Sequence, residues 1–163
     1  MIELLVTVAI IGLLSAVVLV GLRSASQKAR DSKRKADIKQ LMNALEMYYN
    51  ANGDYPAPGG ASHPSNGWSN SADGSWDTLQ TKVQEFMSTL PKDPKNETGG
   101  WAGDGKYNYI YFSDAGYGCP DRRWYLIVYK LENPDMASPG VYACDGTFFN
   151  YSGTITIGIN GVL

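Results

Sequence analysis

The chain has 163 residues, of which 44% are apolar and 18% charged, and its formal net charge is −2. That apolar content excludes a disordered chain. A mean hydropathy of −0.25 excludes a bundle of membrane spans, and the near-neutral charge supplies no overall pull toward nucleic acid.

The residues are distributed unevenly. Met1 to Leu22 carries one charge, Glu3, and Leu4 to Leu22 is interrupted only by Thr7, Gly12, Ser15 and Gly21. As a helix these nineteen residues rise roughly 28 Å, the thickness of a bilayer's hydrocarbon core. A secretory signal fits poorly, because the n-region carries an acid, the apolar run is too long, and Ser24-Ala25-Ser26 is a loose cleavage site. A buried core helix also fits poorly, because the run is apolar on every side. A membrane-spanning or filament-core helix is the expectation for residues 1–22.

Arg23 to Lys39 holds seven basic residues against Asp31 and Asp37, whereas Gln40 onward holds seven basic and thirteen acidic residues. The stem is basic and the remainder acidic. By the positive-inside rule the basic flank places the following domain in the cytoplasm. Two cysteines in an acidic, tyrosine-rich region point instead to an oxidising compartment, so the two signals conflict.

The helical signal continues through 23–52, which contains neither proline nor glycine. Ile38, Leu41, Met42, Leu45, Tyr48 and Tyr49 form one apolar stripe, and Asn52-Gly53 is a C-cap signal. One helix of about 50 residues would be roughly 75 Å long. Residues 53–76 read as a long surface loop rich in Gly, Pro, Ser, Asn and Asp. Asp77 and Gln80 fit a capping box opening a short helix with Leu79, Val83, Phe86, Met87 and Leu90, ended by Pro91 and Pro94. Tyr107–Ser113, Trp124–Leu131 and Thr154–Ile159 read as strands. Val141–Cys144 and Thr147–Tyr151 read as short strands joined by an Asp145-Gly146 turn. The expected architecture is α+β: 1–22 an apolar helix, 23–52 its amphipathic continuation, and 53–163 a head with an antiparallel sheet of three to five strands.

Ile2-Glu3-Leu4-Leu5-Val6 followed by Ala9-Ile10-Ile11-Gly12-Leu13-Leu14 resembles the N-terminal signature of the type IV pilin and pseudopilin family. Asp37 to Pro56 resembles the second half of the pilin helix. Leu90-Pro91-Lys92-Asp93-Pro94 and Tyr125-Leu126 through Lys130-Leu131-Glu132 are similar to the type II secretion pseudopilin branch. Two positions depart from the pattern. Met1 stands where the family has a Leu, itself preceded by Phe-Thr and a short basic leader, and Val20-Gly21 stands where many members have a kinking proline. A leader upstream would supply a basic n-region and a processing site, with methylation of the new N-terminus.

The resemblance implies a pilin fold and a structural subunit of a type IV pilus-like helical filament, with a type II secretion pseudopilin as the alternative. It implies that Glu3 acts in subunit assembly by pairing with a neighbour's N-terminal amine. An acid in a membrane segment is also a functional signal on its own. Leu4, Leu5, Val8, Ile11, Gly12 and Val18 would form the filament core, and Ile38, Leu41, Leu45 and Tyr48 would pack the helix on the head. Implied partners are further copies of the chain, the membrane before assembly, a prepilin peptidase and an assembly platform. The implied location is the cytoplasmic membrane, then the cell surface.

Cys119 and Cys144 form either a disulfide or two free thiols. The only histidine, His63, lies in a loop, and no catalytic constellation or nucleotide-binding glycine motif is present, so no enzyme is expected. No cofactor is expected either. Calcium is a minor alternative through Asp114, Asp121, Asp135 and Asp145, which do not follow an EF-hand pattern. Arg30, Lys33 and Arg34 would carry any binding to nucleic-acid phosphates, although complementarity between basic stems and neighbouring acidic heads explains the same charges more simply. Asn96-Glu97-Thr98 and Asn150-Tyr151-Ser152 match the N-glycosylation pattern.

Overall fold

The computed structural model describes residues 2–65, 67–119, 121–133 and 137–161, without the side chains of 16–20. Helix α1 spans Ile2–Asn52 without interruption, so Gly21 neither ends nor breaks it. At 1.5 Å per residue it is about 76 Å long. Gly53 closes it with a left-handed φ of 81°, its N–H donating to the Tyr49 carbonyl at 2.8 Å.

Strand β1 is Trp68–Asn70, helix α2 is Ser75–Val83, and strands β2 to β6 are Ile110–Phe112, Tyr125–Tyr129, Val141–Tyr142, Phe148–Phe149 and Ile155–Ile159. Four strands form one antiparallel sheet in the order β1-β2-β3-β6, and β4-β5 forms a separate hairpin. The hairpin turns at Asp145-Gly146, with Gly146 at a φ of 85° and the Asp145 carboxylate accepting from the Thr147 N–H at 2.8 Å. Thus the fold is α+β, a long N-terminal helix with a small antiparallel sheet.

Two expectations are corrected. Residues 53–76 are not all loop, because β1 pairs with β2 through Trp68–Phe112, Ser69–Tyr111 and Asn70–Ile110. A three-residue strand is too short to display a period-two pattern. The capping box is also misplaced. Asp77 sits inside the first turn of α2, and the Asp73 carboxylate receives the Ser75 N–H at 2.9 Å. The Gln80 amide instead secures the segment after the helix, donating to the Met87 carbonyl and accepting from the Leu90 N–H.

The sheet is buried on both faces. Tyr109, Tyr111, Tyr125, Ile127, Tyr129 and Ile155 face Ile38, Leu41 and Leu45 of α1 and Trp76, Leu79 and Val83 of α2. Ile110, Phe112, Trp124, Leu126 and Val128 face the other way, under Trp68, Ala102, Val141 and Ala143. Strand β3 is therefore an unbroken apolar run, the pattern a strand shows when both faces are covered. Tyrosine suits the helix side because its ring fills the core while its hydroxyl finds a polar partner. Tyr109 donates to Asp37 at 3.0 Å and Tyr111 to the Pro56 carbonyl at 2.7 Å. Tyr55 and Tyr125 donate to Glu46 at 3.0 and 3.4 Å. Burial pushes the Tyr109, Tyr111 and Tyr125 hydroxyls well above the ordinary tyrosine range, so they remain donors at any physiological pH.

Candidate functional site: a protruding stem and its lock

The second half of α1 is held by the head along one stripe. Ile38, Leu41, Ala44 and Leu45 are buried in it, and Tyr48 is half-buried with its ring edge against Phe86 at 5.9 Å. Met42 and Tyr49 lie half-buried at the margins.

The same stripe continues two turns toward the N-terminus, but in charged residues. Arg34 has no exposed surface. Its guanidinium donates to Asp93 at 2.6 and 3.1 Å, to Asp31 at 2.7 Å and to Glu132 at 3.0 Å. It also lies 4.7 Å from the Tyr107 ring, which Lys95 caps at 3.9 Å. Arg30 grips Glu132 with both arms of its fork at 2.6 and 2.7 Å, and Lys95 reaches the same carboxylate at 3.2 Å. Asp31 accepts the backbone N–H groups of Glu132 and Asn133 at 3.0 and 2.9 Å. Lys33 pairs with Asp37 one turn on, at 2.8 Å. Hydrogen bonds from Arg30, Arg34 and Lys95 hold the Glu132 carboxyl down to about 2. Burial would lower the Arg34 pKa, but its carboxylate partners outweigh burial and raise it. This network fixes the helix to the segment after β3 and to the Asp93 loop.

N-terminal to this lock, α1 leaves the head. Residues 2–15 and 21–29 are exposed throughout. Leu4 and Leu5 are each 72% exposed, with Ile2, Val6, Val8, Ile10, Ile11, Leu13, Leu14 and Leu22 also open. Glu3 is exposed in the first turn, and among the described residues nothing lies within 4 Å of a Cβ placed on Gly12. The Val18 side chain lies outside the described residues. Among the described residues no helix is long and apolar enough to cross a membrane.

A stem carrying this much exposed apolar surface is a candidate interaction surface, since a monomer in water rarely tolerates such a patch. Its geometry divides the work: among the described residues the distal part packs on nothing in the head, while the proximal part is clamped by ions and packed side chains.

The remaining candidate residues fall elsewhere. Cys119 and Cys144 form a disulfide with Cα atoms 5.3 Å apart, tying the β4-β5 hairpin to the loop before β3. Among the described residues no group of three or more potential ligands could hold a metal ion. Asp114 and Asp145 cap their own turns, and Asp121 pairs with Arg123. Asp135 lies outside the described residues. Asn96 is no open glycosylation acceptor, because its amide donates to the Ser71 carbonyl at 2.9 Å and accepts from the Ser71 hydroxyl at 2.7 Å. Arg30 and Arg34 are engaged by carboxylates of their own head, which removes Arg34 and much of Arg30 as contacts for nucleic-acid phosphates or a neighbour's acids.

The lock is hidden in the sequence because its residues are charged where the rest of the stripe is apolar. Extending the series 45, 41, 38 backward reaches Arg34 and Asp31, so the spacing carried the signal. No protein-family model, curated protein or solved structure matches the chain.

Proposed function

We propose that this chain is a pilin, a structural subunit of a type IV pilus-like extracellular helical filament, with no catalytic role of its own. The observation that carries this reading is the stem of residues 2–29, exposed at 2–15 and 21–29, which projects about 40 Å from a head that locks the rest of the same helix and is largely apolar in its outer part. Subunits wait in the cytoplasmic membrane with the apolar stem in lipid. They then exchange lipid for the stems of identical copies, so Leu4, Leu5, Val8, Ile11, Gly12 and Val18 form the filament core. Open space around Gly12 lets another helix approach closely. Glu3 pairs with the N-terminal amine of a neighbour, neutralising two charges that apolar surroundings would otherwise make costly. A prepilin peptidase and an assembly platform are the further partners this reading requires. The similarity of the N-terminal signature to that of pilins supports it.

Cryo-electron microscopy of sheared cell-surface material, with mass spectrometry of the same sample, tests the proposal. Long fibres built from this chain are expected, and Glu3→Ala should abolish them while leaving the chain in the membrane. Short fibres confined beneath an outer membrane would indicate the secretion pseudopilin instead. A chain that stays in the membrane fraction, and is unaffected by Glu3→Ala, would refute assembly altogether.

A further inference from the structure

The fold divides the seven cations of residues 23–39 into two sets. Arg30, Lys33 and Arg34 are consumed within the chain by Glu132, Asp37, Asp31 and Asp93. Arg23, Lys28, Lys35 and Lys39 are exposed, and among the described residues no carboxylate pairs with them. Lys28, Lys35 and Lys39 stand at i, i+7 and i+11. At 100° per residue they fall within about 20° of one line along the helix. Lys28, Ser32 and Lys35 line a cavity of about 230 Å³ together with Asp31 and Asn133. The Asp31 carboxylate is already engaged by Arg34 and by two backbone N–H groups. The stem's contribution to this cavity is therefore two ammonium groups and a hydroxyl.

The head offers the opposite charge. Glu85 and Asp104 are exposed carboxylates and, among the described residues, neither forms an ion pair. We infer that the row Lys28–Lys35–Lys39 docks the acidic head of a second copy of this chain, with the cavity between Lys28 and Lys35 receiving Glu85 or Asp104. This inference rests on the filament reading and supplies its outer contact, lateral to the apolar core. Charge complementarity chooses the occupant: head against head would repel, and stem against head attracts. A lipid surface fits less well. Lys39 stands about 25 Å along the axis from Leu22, well beyond a headgroup layer only several ångströms deep.

The test is zero-length carbodiimide coupling of intact fibres made from the full chain, which joins an amine to a carboxylate only in contact. Covalent dimers are expected, with mass spectrometry placing the isopeptide between Lys28 or Lys35 and Glu85 or Asp104. Lys28→Gln with Lys35→Gln removes the coupling amines and with them these isopeptides; it should also weaken the contact between copies about tenfold, the effect of losing two exposed pairs, read as fibres that fall apart at lower salt. Arg23→Gln should change neither. Unchanged thermal unfolding of the doubly substituted chain in detergent shows that folding is intact. Fibres whose dimers run through other lysines, or doubly substituted fibres as salt-resistant as the parent, overturn the inference and leave the filament reading standing. So does a double substitution that weakens binding to phosphatidylglycerol vesicles but leaves the dimers unchanged. If the parent chain forms no fibres, both fall together.

Discussion

Arg34 shows how a single residue joins two elements. A buried guanidinium is tolerated only when its donors are satisfied by charge, and Asp93, Asp31 and Glu132 together satisfy them. Arg34→Met would leave buried Asp93 without its cation and weaken the hold on Asp31 and Glu132, and we expect a loss of about 3–5 kcal/mol in chemical denaturation. Arg34→Lys should recover only part of this, since an ammonium cannot form the paired bonds to Asp93. Glu132 gives the network a pH signature. Its folded pKa of about 2 lies below the ordinary 4.5, so its contribution is complete above about pH 4.5 and is lost as pH falls through about 2. The urea midpoint of the parent chain should therefore fall across that window, and that of Glu132→Gln should fall less. The sequence presented Arg34 as an outward cation, because a charged residue on an amphipathic helix normally faces water.

Among the elements, the edges of the sheet are set by backbone fit. A Cβ on Gly158 would run into the backbone of Tyr125 and Leu126 in β3, so Gly158→Ala must push β6 away and should cost about 1–3 kcal/mol. Gly53 is different. Its φ of 81° is left-handed but nothing lies near it, so Gly53→Ala should cost only about 1 kcal/mol. Paired thermal melts would separate the two. The disulfide closes a loop across 25 positions and should contribute roughly 3 kcal/mol by restricting the unfolded chain. Replacing Cys119 and Cys144 by serine should lower stability by about that amount and expose the hairpin to proteolysis. The outer edge of β6 is covered by the segment before β4, where Gly140 donates to Thr156 at 3.0 Å and Thr156 to Ser138 at 2.8 Å. That cover protects the edge from pairing with another chain.

At the scale of the whole molecule, one helix serves two environments. Its proximal half contributes Ile38, Leu41 and Leu45 to the core, whereas residues 2–15 contribute nothing to it. Deleting residues 1–22 should therefore leave the unfolding temperature of the head unchanged while abolishing detergent-sensitive oligomers, as measured by calorimetry and light scattering. A large fall in unfolding temperature would show that the stem folds back on the head. The charge pattern acts at this scale as well. Arg30, Lys33 and Arg34 are neutralised internally, whereas Lys28, Lys35, Glu85 and Asp104, which form no ion pair among the described residues, are the charges the proposed filament contact would use.

The helix, its termination at Gly53, the central strands and the α+β class were all legible in the amino-acid sequence. Each of these follows from local chemistry: periodicity, a capping glycine, and β-branched and aromatic runs. The sequence also marked residues 4–22 as apolar on all sides, and so without a place on a solvated surface. Tertiary structure alone decided that Trp68–Asn70 is a strand, because three residues acquire strand geometry only from a partner. It alone decided which cations of the basic segment are internal and which face outward. That choice depends on carboxylates from Asp93 and Glu132, far along the chain from Arg34, and no local pattern encodes such a meeting.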